Sequence, residues 1–189
     1  MPGRADAGLP ATPRRGFLAL AVGLVGAALP VFRAMAGDGA SMHERRLRLY
    51  NTVTGESFDD VYWSEGRGLV EALARIDWLL RDPFADRCKP IDLELLHRLS
   101  TLQRASGRVG PFEVLSGYRS PETNRRLVTE GAARQSQHLF GRAVDLRLPG
   151  VRPRDLYRLA LSLGSGGTGY YPRRGFVHLD TGPKRHWVA

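Results

Sequence analysis

The sequence predicts an α+β domain with a mainly antiparallel sheet and helices packed on it. Three observations carry this expectation. A β-branched and aromatic segment surrounds a Thr-Gly turn near residue 54, apolar residues at helical spacing dominate 69–102, and short alternating segments separated by turn signals follow residue 112. A length of 189 residues suits one core plus a targeting segment. With 42% hydrophobic and 25% charged residues the composition is that of a globular chain, which excludes disordered and fibrous classes.

The elements follow in order. The run LRLYNTVTGESFDDVYW reads as a hairpin turning at Thr54-Gly55. Leu69, Leu73, Ile76 and Leu80 mark a first helix; Asp82-Pro83-Phe84 breaks it. Asp92 opens a second, with Leu95, Leu96, Leu99 and Leu102 on one face and Ser106-Gly107 at its end. Phe112–Leu115 is a short strand running into a loop, Ser116–Pro121. Ser120 is the expected N-cap of a helix over 121–130, with Pro121 at its first position, where a missing N–H does no harm. Arg142–Leu148 alternates as a strand, and Arg154–Leu163 is helical. A glycine-rich stretch from Gly164 to Gly169 leads into a final hairpin ending at Asp180.

Residues 1–36 have the form of an export signal: Arg14-Arg15, then seventeen uncharged residues from Gly16 to Phe32, then Ala34-Met35-Ala36 as an A-x-A site. The arginine pair followed by Gly16, Phe17 and Leu18 resembles a twin-arginine motif, and the mild Ala/Gly-rich run fits that pathway. A retained anchor is the alternative, since seventeen residues lie at the lower limit of a span. Residues 37–45 are then a linker and 46–189 the functional domain, periplasmic and without stable membrane insertion after signal removal. Loss of four arginines and one aspartate leaves 24 Lys+Arg against 18 Asp+Glu, a mature charge of +6 that suits a polyanionic partner. The export signal and the lack of any nucleic-acid motif argue against nucleic acid as that partner.

The single cysteine, Cys88, excludes a disulfide framework and a cysteine-rich zinc module, so histidines and carboxylates are the metal ligands to consider. In Ser136–Asp145, His138 lies in a polar loop, Gly141 permits a close turn, and Asp145 shares a strand face with Ala143. In Phe176–Asp180, His178 and Asp180 share a face. If these two strands pair, His138, Asp145 and His178 converge, two imidazoles and a carboxylate that leave a fourth position for water.

The block S-x-H-x-x-G-x-A-x-D, carried by Ser136, His138, Gly141, Ala143 and Asp145, resembles the zinc-binding signature of the M15 peptidases. Ser116–Pro121, Asn124, the Gly-Tyr-Tyr-Pro of 169–172, Phe176-Val177-His178 and Arg185-His186-Trp187 resemble one branch of that group, the YcbK (DUF882) family. The resemblance spans about Arg46 to Trp187, and the choice of these two histidines among five leans on it. It implies an M15 (hedgehog/D,D-peptidase-like) fold and one zinc ion held by His138, Asp145 and His178. It implies a murein endopeptidase acting on the peptide cross-links of peptidoglycan, with stem peptides as partner; a monomer is the expected state, though the sequence itself does not fix it. A carboxypeptidase trimming stem peptides, or a non-catalytic zinc-containing wall-binding module, are the alternatives.

Many M15 enzymes carry a glutamate three residues before the last histidine ligand; here Gly175 stands there. Asp180 is the candidate to take a proton from metal-bound water, or else it orients a histidine ligand. Arg119 is a candidate to hold a substrate carboxylate or the oxyanion, the alternative being a loop arginine tied to a carbonyl. His186 is a candidate accessory acid or a surface histidine. His97 reads as structural and His43 as a solvated linker residue. Arg173-Arg174 and Arg125-Arg126 read as solvated faces suited to anionic wall polymers.

Overall fold

The computed structural model describes residues 44–189. The export signal, its A-x-A site, His43 and most of the linker lie outside the described residues. Among those described, no helix is long and apolar enough to cross a membrane.

The chain opens with a hairpin of β1 (Arg45–Asn51) and β2 (Ser57–Ser64), extended by β3 (Arg67–Gly68). Gly55 takes the turn with φ +75°, and Asn51 caps it by accepting from Val53 N (2.9 Å) and Thr54 N (3.2 Å). Helices α1 (Val70–Leu79) and α2 (Leu93–Ala105) follow. The start of α2 is capped by the Asp92 carboxylate, which accepts from Glu94 N at 3.0 Å. Then come β4 (Phe112–Ser116), α3 (Pro121–Val128), a 3₁₀ turn (Gln137–Phe140), β5 (Ala143–Arg147), α4 (Pro153–Ser162), β6 (Gly167–Tyr171), β7 (Phe176–Asp180) and β8 (Arg185–Val188). Ser120 and Pro121 occupy the N-cap and first helical positions of α3 as expected; the helix ends two residues short of Glu130.

All eight strands form one sheet in the order β3-β2-β1-β4-β5-β7-β6-β8. The expected mainly antiparallel sheet is instead mixed: β1 runs parallel to β4, and β6 parallel to β8. The first parallel join arises because α1 and α2 intervene between the opening hairpin and β4, giving the chain the length to return in the same direction. The second arises because the chain leaving β7 steps past the end of β6 and docks β8 on the far edge of β6.

Strand alternation divides the sheet chemically. Leu47, Leu49, Val114, Val144, Leu146, Val177 and Leu179 turn into one hydrophobic core, where α1 packs on β2, α2 on β1, and α4 on β6 and β7. Ile76, Leu95, Leu99 and Leu156 supply the helical side of that core. The residues between the core positions on β5 and β7 include Asp145, His178 and Asp180. A register shift between Val114 and Ser116 leaves an extra residue in β4, and the chain departs from the sheet there into the loop at 116–120.

Candidate active site

Register places the central side chains. Asp145 on β5 lies opposite His178 on β7, His178 opposite Gly169 on β6, and Gly169 opposite Trp187 on β8. One transverse row thus runs Asp145, His178, Gly169, Trp187. The next row runs Ala143, Asp180, Gly167, Arg185. His138 arrives from outside the sheet, on the 3₁₀ turn capped by Ser136 and closed by Gly141 at φ +67°. A side chain at Gly141 would also collide with the carbonyl of Pro90.

His138, Asp145 and His178 are all buried, each offering one ligand atom within 4.8 Å of the others. His138 Nε2 stands 3.3 Å from His178 Nδ1 and 3.4 Å from Asp145 Oδ1; His178 Nδ1 is 2.8 Å from that oxygen. The opposite nitrogen of each imidazole is tied to an oxygen. His138 Nδ1 lies 2.6 Å from the Gly117 carbonyl, and His178 Nε2 lies 2.9 Å from Asp180 Oδ2. A proton on the outer nitrogen of His138 leaves its Nε2 lone pair facing Asp145; His178 Nδ1, which donates to Asp145 Oδ1 in this structure, would turn its lone pair to the same point on giving up that proton to a metal.

The supporting shell is dense. Asp180 is fully buried, and both its oxygens are engaged: Oδ1 accepts from Gly167 N (3.1 Å), Gly182 N (2.8 Å) and Arg185 Nη1 (3.0 Å), while Oδ2 accepts from Arg185 Nη2 (2.6 Å) and faces His178. From α2, the buried Arg98 binds the Asp180 carbonyl (2.5 Å), the Gly167 carbonyl (3.0 Å) and Thr168 Oγ1 (2.6 Å), fixing the backbone beneath. The Gly117 carbonyl is held by its loop. Tyr118 N donates to the Leu80 carbonyl (2.7 Å), Arg119 N to the His138 carbonyl (3.1 Å), and Ser120 N to Asp82 Oδ2 (2.8 Å).

These contacts set the ionisation. Burial would raise the Asp145 carboxyl, but the charge and hydrogen bonding of His138 and His178 outweigh it and hold the group well below the usual range. Burial would lower His178, but Asp145 and Asp180 on either side push it up. For His138 burial wins, and its pKa falls. Asp180 is held low against its burial by His178 and Arg185.

Arg119 reaches Asp145 Oδ2 through Nη2 (2.5 Å) and Ser116 Oγ through Nε (2.8 Å), so it belongs to the same cluster. His186 does not. Alternation on β8 sends Arg185 and Trp187 to the site face and His186 to the other, where it is exposed. His97 bonds Tyr62 at 2.9 Å, and the exposed Cys88 is outside the cluster. Three contributors stand in the sequence only within motif blocks, with no role given to them: Arg185, Trp187 and the Gly117 carbonyl. The alternation of Gly167 and Gly169 is the signal for the first two, since a side chain at Gly167 would overlap Asp180, and one at Gly169 the Trp187 ring.

A family model described as "Peptidoglycan L,D-endopeptidase MepK" matches residues 39–187. The chain is 40% identical over 180 residues to the peptidoglycan L,D-endopeptidases MepK of Escherichia coli strain K12 and of Shigella flexneri, covering 92% of this chain and 96% of each relative. It is 38% identical over 147 residues to a probable peptidoglycan L,D-endopeptidase MepK of Haemophilus influenzae, covering 76% of this chain and 78% of that one. No solved structure gives a significant match. The row of side chains across β5 and β7 thus sits in a chain that belongs to the peptidoglycan L,D-endopeptidase MepK family of M15 peptidases.

Proposed function

We propose that this chain is a periplasmic, zinc-dependent peptidoglycan L,D-endopeptidase that hydrolyses peptide cross-links between stem peptides. The observation that carries the reading is the separation of the three donor atoms. A tetrahedral ion with bonds of about 2.0–2.1 Å keeps its ligands about 3.3–3.4 Å apart. The two separations involving His138 Nε2 are 3.3 and 3.4 Å, and the third, 2.8 Å, is a hydrogen-bond distance. Both imidazoles have their outer nitrogen tied to an oxygen, as metal-ligating histidines do.

A zinc ion held there supplies Lewis-acid polarisation of a peptide carbonyl and a water acidified for attack. His138 and His178 keep their lone pairs aimed at one point because the Gly117 carbonyl and Asp180 hold the opposite N–H groups. Of the two roles open to Asp180, orienting is the one its surroundings support: a buried carboxylate accepting from two backbone amides, a bidentate arginine and an imidazole has no lone pair left for a proton from water. Arg119 grips Asp145 with Nη2, while its Nη1 makes no bond among the described residues, which suits it to hold the carbonyl or carboxylate of a substrate laid beside Asp145.

The test is mass spectrometry of muropeptides after digestion by the zinc-loaded mature protein. Conversion of L,D-cross-linked dimers to monomers is expected. Dimers left intact while monomeric stems are shortened would establish a carboxypeptidase, and sedimentation with sacculi without release a wall-binding module.

A further inference from the structure

The buried His138, Asp145, His178 and Asp180 cluster occupies only part of its sheet face. Beyond it a strip of side chains continues towards the turn between β6 and β7, and no step proposed above uses them. The Trp187 ring lies 5.2 Å from that of His178, and its Nε1 donates to the Tyr171 hydroxyl at 3.1 Å. Tyr171 stacks on the buried Phe176, which backs it from below, with centroids 4.4 Å apart and planes within 16°. The Arg174 guanidinium lies 5.4 Å over Phe176. Arg147, two residues beyond Asp145 on β5, shares its face, about 7 Å further along the strand. Its guanidinium is pinned under the turn by the carbonyls of Gly175 (2.9 Å) and Arg174 (2.8 Å).

The charges at the end of this strip are unbalanced. Arg147, Arg173 and Arg174 are exposed, and among the described residues none has a carboxylate partner. Glu113 lies directly across from Arg147 on β4 without forming an ion pair with it. An aromatic shelf ending in fixed, unpaired guanidinium groups is complementary to a chain with flat or aliphatic faces near the scissile bond and carboxylates a residue or two beyond it.

We propose that the Trp187–Tyr171 shelf, backed by the buried Phe176, and the Arg147/Arg174 pair form an extended subsite for an acidic peptide arm running away from the metal centre. For the identity of that peptide the proposal rests on the endopeptidase reading, since an arm of a cross-linked stem carries free carboxylates. The shelf contributes contact area, and the two arginines select carboxylated over neutral arms.

The experiment compares two synthetic cross-linked muropeptides, one with free carboxylates and one with them amidated. It uses the parent protein, Arg147→Gln/Arg174→Gln, which retains donors for the turn carbonyls, and Arg147→Lys/Arg174→Lys, which retains the charge. Dissociation constants are read by calorimetry on chelator-treated protein, and KM on zinc-loaded protein. The parent is expected to bind the acidic arm about fivefold tighter than the amidated one, the size expected of two partly exposed ion pairs. The preference should vanish in the Gln pair, persist in the Lys pair, and shrink in high salt. Equal affinity of the parent for both peptides, or an undiminished preference in the Gln pair, would overturn the subsite. If the zinc-loaded parent cleaved neither peptide, the endopeptidase reading would fall, and the calorimetric comparison would still decide whether the surface recognises acidic peptides.

Discussion

On the proposed reading, what suits His178 to a metal is what its far nitrogen touches. Asp180 accepts from Nε2, Arg185 clamps Asp180 from beyond, and Nδ1 is left facing Asp145 and His138. Asp180→Asn keeps the size of the group and removes its charge, so zinc affinity should fall about 10–100-fold, as read by competition with a chromophoric chelator. Arg119→Lys retains a positive charge but loses the planar fork, and kcat/KM on cross-linked muropeptides should fall about 10–100-fold, the loss of one charged hydrogen bond. At this scale much of the site is legible in the sequence. Period-2 alternation puts Asp145, His178 and Asp180 on shared faces, and the glycine at 141 frames the histidine loop. The Gly117 carbonyl is not legible, because a backbone acceptor leaves no trace in residue type. His186 shows the opposite case: of its two readings, accessory acid or surface histidine, strand alternation places it exposed on the face away from the cluster.

Two elements decide whether the site assembles. Strand β6 was legible only as the glycine-rich approach to a hairpin, since glycine weakens strand propensity; its glycines are there to clear Asp180 and Trp187. Gly169→Ala would place a methyl group inside the Trp187 ring, with a cost of about 1–3 kcal/mol in stability and displacement of the ring from His178. Denaturant unfolding and quenching of Trp187 fluorescence by site-bound ligands would register both. The loop that carries Gly117 is stapled by Asp82, whose carboxylate accepts from Ser120 N (2.8 Å), Phe84 N (3.0 Å) and Ala85 N (3.3 Å). Burial would raise the Asp82 pKa, but the bonds from Thr123, Ser120 and Phe84 hold it below its ordinary value. A group depressed on folding stabilises fully above its unfolded pKa, about 3.9, and loses that contribution as pH falls through the lower folded value. Asp82→Asn should therefore lower stability at neutral pH, by about 1–2 kcal/mol, and the gap to the parent should close below about pH 4 in unfolding titrations. The short strands β3 and β8 and the two parallel joins escaped the sequence because pairing partners are set by crossovers, which no local pattern records.

The molecule as a whole separates its tasks by sheet face. Helices and core residues such as Leu99, Val144 and Leu146 stabilise one side, and the histidine and aspartate row occupies the other. Truncating Leu146 should cost about 2–5 kcal/mol without removing any donor atom, whereas stripping the metal should leave the fold intact. Zinc at 100 times its dissociation constant adds about 2.7 kcal/mol, so a chelator should lower the melting temperature by about 5–11 °C in calorimetry without loss of secondary structure. The fold class and the position of the site along the chain follow from periodicity and the motif blocks, while the sheet's mixed topology needed coordinates. The central claim is that three side chains from two strands and one 3₁₀ turn grip a single ion. Elemental analysis of purified protein and of His138→Ala, Asp145→Ala and His178→Ala, each checked for folding by circular dichroism, tests it most directly. One zinc per parent chain and its loss in all three folded variants is the predicted result, and folded variants that kept stoichiometric zinc would contradict it.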